Sequence, residues 1–234
     1  LVGWASRFGS AKGSSFMKPK GKALDAFICD AMRTPRGLAR EGGGFAKIKA
    51  MDLLQPLCAL MQERLGPSIH AVDDSLLGCV TAVGEQGANI AKIAGLYAGW
   101  PESISGATLN RFCASGLDAI SLAATKVHSG MEGLIIAGGL ESLSRVPMFK
   151  DGGSWFSDPL VAARSRFLHM GIAADFLASS AGITRQDCET WAMGSHQKAV
   201  RAQAQGFFKK SLVPVYHEDG TLALNADEAI RPQV

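Results

Sequence analysis

From Ala23 onward, apolar and polar positions fall into short segments of two alternating kinds. Residues 24–30 (LDAFICD) read as a short buried strand that ends at the Arg33-Thr34-Pro35 turn. After a loop holding Gly42-Gly43-Gly44, Leu53, Leu54, Leu57, Leu60 and Met61 repeat at helical spacing, which predicts a helix over 52–64. Residues 75–83 (SLLGCVTAV) read as a buried strand, and 89–99 as an Ala-rich helix stopped by Pro101. Residues 105–112 then lead as a strand into Cys113, 115–128 are helical, and 132–138 (EGLIIAG) form another buried strand. Continuous apolar strands alternating with helices predict a layered α/β fold, a mostly parallel sheet flanked by helices.

After Leu140 the texture changes. Residues 141–168 are rich in Gly, Ser, Pro and aromatics without strand-like spacing, and read as a loop-domain excursion from the sheet. A helix over 170–181 follows, and Thr184 with an acid at Asp187 marks the start of another, running to about 205 and closed by Gly206. Residues 211–217 (SLVPVYH) suit an edge strand, because Pro214 cannot donate to a ladder. No capping element or closing strand is evident in 221–234, which suggests an incomplete domain. The expected organisation is a leader or tag over 1–22, an α/β domain over 23–140, and a truncated loop domain over 141–234.

Composition narrows the function classes. With 234 residues, 47% hydrophobic and 19% charged, the chain can build a core, and its 27 glycines follow no period. No apolar run approaches the roughly 18 residues of a membrane span. The net charge of +3 comes from the first 24 residues, where Arg7, Lys12, Lys18, Lys20 and Lys22 face no acid; the remainder carries 19 basic and 21 acidic residues, net −2. A nucleic-acid binder needs its basic surplus on the folded domain, so nucleic acid is not the expected partner. Cys29, Cys58, Cys79, Cys113 and Cys188 are an odd set without close pairs, and the five histidines form no H-x-x-x-H pair. Neither a disulfide framework nor a metal site fits, so a reducing, cytoplasmic setting is expected, with organelle targeting by residues 1–22 left open.

The chemistry concentrates in Asn110-Arg111-Phe112-Cys113-Ala114-Ser115-Gly116-Leu117. A strand enters this segment and a helix leaves it. A cysteine there sits near a helix N-terminus, where unpaired N–H groups and the helix dipole favour a thiolate. Small neighbours leave room for a thioester, and the Cys113 N–H could hold a developing oxyanion. The alternative for any lone cysteine is a small buried hydrophobe. That alternative suits Cys29 and Cys79 in apolar strands and Cys58 on an apolar helix face. Cys188 lies among Asp187 and Glu189, which disfavour a thiolate.

TLNRFCASGLDAISLAA followed by GLIIAGGLESLSRVP resembles the nucleophile region of the thiolases, which make and cleave carbon–carbon bonds in acyl-CoA thioesters. The likeness extends to Arg33-Thr34-Pro35, to Val83-Gly84-Glu85-Gln86-Gly87-Ala88-Asn89, to His169-Met170-Gly171, and to RQDCETWAMGSHQKA at 185–199 and FFKKSLVPV at 207–215. The resemblance implies that Cys113 takes up the acyl group as a thioester. It also implies that His169 and Met170 belong to the loop region lining the pantetheine tunnel, though ordinary helix-start packing suits them as well. Glu141 and Ser142 are expected to stabilise the turn after the strand, and His196 to be a solvated helix position. RFCASG is closer to degradative 3-ketoacyl-CoA thiolases, of fatty-acid β-oxidation, than to the biosynthetic type.

The expected activity is CoA-dependent cleavage of 3-ketoacyl-CoA, or the reverse Claisen condensation, with CoA as substrate, no cofactor and a homodimer or homotetramer. The resemblance also implies a second family half carrying a His in a GHP-type motif, a carbonyl-polarising Asn and a second, acid/base Cys. The 234 residues contain no His-Pro pair and no Cys followed by a Gly-rich segment. Loss of acid–base help costs roughly 10²–10⁴ in rate, so this chain alone is expected to be nearly inactive. The alternative is a non-catalytic half-thiolase that binds acyl-CoA or pairs with a full-length subunit.

Overall fold

Strand β1 (Asp74–Gly78) is buried at every position, which makes it the centre of a sheet. In the computed structural model, which describes residues 25–231 and Gln233, β2 (Ser105–Leu109) and β3 (Ile135–Gly139) flank it in the order β2-β1-β3, both parallel to it. Side chains alternate across the pleat. Leu77 and Ile136 face helices α1 (Ala50–Leu65) and α2 (Ile90–Tyr97), in a core with Leu53, Leu54, Cys58, Ile90, Ala94 and Trp100. Leu76, Ile135 and Ala137 face α3 (Ser115–His128) through Ala119 and Ala123. The Trp100 indole N–H donates to the Cys58 carbonyl at 3.1 Å, so its burial leaves no donor unpaired.

Small residues set how closely α3 approaches the sheet. A Cβ on Gly78 would lie 2.3 Å from the Ser115 carbonyl carbon, and one on Gly139 would lie 2.9 Å from the Gly78 oxygen. At its other end, α3 is tied down by Lys126, whose Nζ donates to Asp74 at 2.5 Å and to Glu132 at 2.8 Å. The helix is therefore fixed at both ends over β1.

Beyond Leu140 the chain forms α4 (Ser154–Ser157), α5 (Pro159–Arg164), α6 (Met170–Ala181) and α7 (Arg185–Ala204), none of which buries a residue. Local chemistry defines their ends. Asp158 accepts from Leu160 and Val161 N–H before Pro159 opens α5. Gly182, at φ 67°, closes α6. Thr184 and Asp187 form a reciprocal capping box at the start of α7. Among the described residues no helix is long and apolar enough to cross a membrane.

Three expectations need correction. Residues 25–30 form no strand: Phe27 and Ile28 are about four-fifths exposed, because no sheet edge among the described residues lies against them. Cys29 is accordingly exposed. The chain pairs instead at Arg33, whose N–H donates to the Ser211 carbonyl at 2.8 Å and whose carbonyl accepts from Val213 at 2.9 Å. The edge strand expected over 211–217 shrinks to β4 (Val215–Tyr216), since Pro214 cannot extend the ladder. A closing strand does exist: β5 (Leu222–Leu224) pairs antiparallel with β4. The segment after it is clamped to the loop after Arg33. Asp227 takes a two-pronged ion pair from Arg33 at 2.7 and 2.9 Å and the Arg36 N–H at 2.9 Å, while Glu228 accepts from Leu38 and Gly44 N–H. The leader expected over 1–22 lies outside the described residues.

Candidate active site

Cys113 is exposed, between the end of β2 at Leu109 and the first turn of α3 at Ser115. The turn carrying it is held by two short side chains. Asn110 Oδ1 accepts from the Phe112 N–H at 2.8 Å, and Asn110 Nδ2 donates to the Val80 carbonyl at 3.0 Å. Ser115 Oγ accepts from the Arg111 N–H at 2.8 Å and donates to the Phe112 carbonyl at 2.6 Å. Phe112 adopts φ 49°, a left-handed conformation that side chains with a Cβ seldom take and that marks a constrained turn. The helix N-terminus behind Cys113 offers the N–H groups and positive dipole end that suit a developing negative charge. Arg111 pairs with Asp118 at 2.7 Å.

Two of the other thiols, Cys58 and Cys79, are poorly suited to nucleophilic work. Burial pushes the Cys58 thiol up to about 11. Burial, with the Glu141 carboxylate nearby, pushes that of Cys79 up to about 12. Cys188 is exposed in the first turn of α7.

His169 is the residue before the first turn of α6, and Met170 opens that helix. The link from His169 to the Cys113 turn runs through rings. Phe112 stacks on Trp155 at 5.3 Å between centroids, and Trp155 stacks on Phe167 at 4.8 Å. Phe167 meets His169 edge-on at 5.4 Å, with Phe149 and Phe156 alongside. This cluster was not singled out from sequence; the density of aromatics between 149 and 167 was its only trace. Met170 is exposed and joins none of the ring contacts.

Two further positions differ from expectation. Glu141 braces more than its own turn: Oε1 accepts from Val80 and Thr81 N–H at 2.5 and 3.1 Å, and Oε2 from Gln86 Nε2 at 3.2 Å. His196 is not fully solvated, since its Nδ1 accepts from the Arg231 N–H at 3.2 Å. Among the described residues no three His, Cys, Asp or Glu side chains gather as a metal site.

The family model described as the thiolase N-terminal domain matches residues 26–234. The chain belongs to the thiolase family. A β-ketoadipyl-CoA thiolase of Pseudomonas putida is 41% identical over 228 residues, covering 89% of this chain and 56% of that protein. A 3-ketoacyl-CoA thiolase of Bacillus subtilis is 34% identical over 224 residues, with the same two shares. The crystal structure of the Bacillus anthracis acetyl-CoA acetyltransferase superposes with a TM-score of 0.76 at 27% identity, over 92% of this chain and 57% of that one. The chain thus spans slightly more than half the length of the thiolases it matches.

Proposed function

We propose that Cys113 is the nucleophile of a thiolase reaction on 3-ketoacyl-CoA. The observation that carries this reading is an exposed cysteine on a braced strand–helix junction in a chain of the thiolase family. The Cys113 sulfur attacks the 3-keto carbonyl, and the bond between C2 and C3 breaks. The electron pair leaves with the two-carbon fragment, which takes a proton and departs as acetyl-CoA. A second CoA thiol then attacks the acyl-Cys113 thioester, releasing the shortened acyl-CoA and restoring the cysteine. Two half-reactions through one covalent intermediate give ping-pong kinetics. CoA is a substrate, and no cofactor is required.

The relatives named for β-ketoadipyl-CoA and for 3-ketoacyl-CoA support a 3-ketoacyl thioester as the substrate class, in degradation of dicarboxylic or fatty acyl chains. His169 and Met170, beside the aromatic cluster, are assigned to the pantetheine side of the site. Full turnover is assigned to an enzyme that also carries a base for Cys113 and a second acid/base group, with a homodimer or homotetramer as its assembly. On α3, Leu117 is 69% exposed, and Ile120 lies open beside it one turn on. Such an apolar face suits a second protein layer.

The deciding experiment is acyl trapping: the protein is incubated with acetyl-CoA, digested, and each cysteine peptide weighed. The expected result is one acetyl group on Cys113, absent in Cys113→Ala. Acetylation of Cys29 or Cys188 instead would sink the assignment. Acyl-CoA binding without acylation would favour the non-catalytic half-thiolase.

A further inference from the structure

We propose that Glu141 and Asn110 are positioning residues for Cys113, acting through a single peptide group between them. The inference rests on the reading of Cys113 as the nucleophile.

The peptide unit joining Val80 and Thr81 is held at both ends. Its carbonyl accepts from Asn110 Nδ2 at 3.0 Å, and its N–H donates to Glu141 Oε1 at 3.1 Å. The Asn110 side chain is a second amide, and its own oxygen accepts from the Phe112 N–H at 2.8 Å. Two amides therefore stand head to tail between a carboxylate and the residue before the nucleophile. Hydrogen bonds in such a chain polarise one another. The Glu141 charge draws on the Thr81 N–H, which makes the Val80 oxygen a better acceptor. Asn110 donates to it more strongly, and its own oxygen in turn holds the Phe112 N–H more strongly.

Phe112 is the residue that needs holding. Its φ of 49° is unfavourable for a side chain with a Cβ and persists only where the surroundings over-determine it. Released, Phe112 would relax toward negative φ and swing Cys113 away from the N-terminus of α3. The carboxylate is itself fixed: Oε2 accepts from Gln86 Nε2, and fully buried Gln86 accepts from the Ser142 N–H at 2.5 Å. Glu141 and Asn110 lie outside both apolar cores, so their loss should reach Cys113 without dismantling the sheet.

The test is site-resolved alkylation by iodoacetamide of the protein and of Asn110→Ala, Glu141→Ala and Glu141→Gln, with each cysteine followed by peptide mass. Exposed Cys29 and Cys188 serve as references in the same tube, and buried Cys58, which lies apart from Glu141, reports the fold. The expected result is a Cys113 rate lowered roughly threefold to tenfold in both alanine variants, with the references unchanged and Cys58 protected. Glu141→Gln keeps one acceptor oxygen but loses the charge and turns an N–H2 toward the Gln86 Nε2 donor, so it should recover only part of the rate. An unchanged Cys113 rate overturns the proposal, as does a fall that appears only together with alkylation of Cys58. Failure of acyl trapping in the unaltered protein, with these alkylation shifts intact, would remove the nucleophile role of Cys113 and leave the positioning chain standing.

Discussion

The sheet region and the helices after Leu140 are built on opposite terms. Around β1, side chains on both faces are buried, and α1, α2 and α3 are held by the same cores that order the strands. Helices α4 to α7 bury nothing, and Leu160, Ile172, Phe176, Leu177 and Trp191 stand open to solvent. Caps, turns and one cluster of rings define that second region. The Cys113 turn sits on the first, and His169 and Met170 on the second. Chemistry that needs a fixed thiol is thus placed on packed structure, while the residues that would shape the substrate side depend on pairwise contacts. Packed positions resist change in volume strongly, and surface helices respond mainly through propensity and capping.

The sharpest way to break this contrast is Gly78→Ala. The added methyl carbon would meet Ser115 backbone at 2.3 Å, and neither the strand nor the helix can yield without moving a core. The expected loss is about 3 kcal/mol in chemical denaturation, with a fall in Cys113 reactivity as α3 is pushed outward. A variant of unchanged stability and reactivity would show that the α3 approach is looser than the packing implies.

Next in size is Trp155→Ala. The indole stacks between Phe112 and Phe167, and is the ring that ties the Cys113 turn to the His169 side. Its removal should cost about 1–3 kcal/mol of local stability, with loss of near-UV circular dichroism and faster hydrogen exchange over 149–169. Exchange there that stays as slow as before would mean the cluster does not hold the second region.

The same contrast explains what was legible beforehand. Strands β1 and β3 and helices α2 and α3 follow from their apolar pattern, because burial on both sides of a sheet leaves a continuous signal. Helix α7 was legible for another reason, since Thr184 with Asp187 and Gly206 mark its ends without any core. LDAFICD was misread because apolar content shows that a segment suits a strand, not that a strand edge is available to it. Cys113 could be singled out by its junction and by family likeness. Its supports could not, because Asn110 reaches Val80 and Glu141 reaches Thr81 across distances in sequence that no local pattern encodes.

A smaller effect is expected at the clamp over the end of the described chain. The Arg33 guanidinium holds the Asp227 carboxyl below its ordinary value of 3.8, and the Leu38 and Gly44 N–H groups hold Glu228 below 4.5. A depressed carboxylate contributes stability that is complete above its unfolded value and lost as pH falls through its folded value. The clamp should therefore weaken from about pH 4.5 downward, releasing 225–231 from the loop after Arg33 before the sheet cores open. Asp227→Asn should remove about 1–2 kcal/mol of local protection at neutral pH, read by hydrogen exchange in both segments. Equal protection in the variant at neutral pH would show that the backbone pairing of Arg33 with Ser211 and Val213 suffices.

The smallest effect carries the opposite sign. Gly194 lies in the middle of α7, and a Cβ there meets nothing within 4 Å. Glycine costs a helix interior roughly 0.5–1 kcal/mol relative to alanine, through the backbone freedom it loses on ordering. Gly194→Ala should therefore raise the stability of α7 by about that amount, seen as slower amide exchange along the helix. The same glycine-to-alanine change that strains the sheet at Gly78 would thus stabilise the second region. A destabilised Gly194→Ala would mean that this face of α7 is covered in solution, with backbone approaching where the structure leaves open space. The apolar side chains left exposed on α6 and α7 would then be read as one half of an interface.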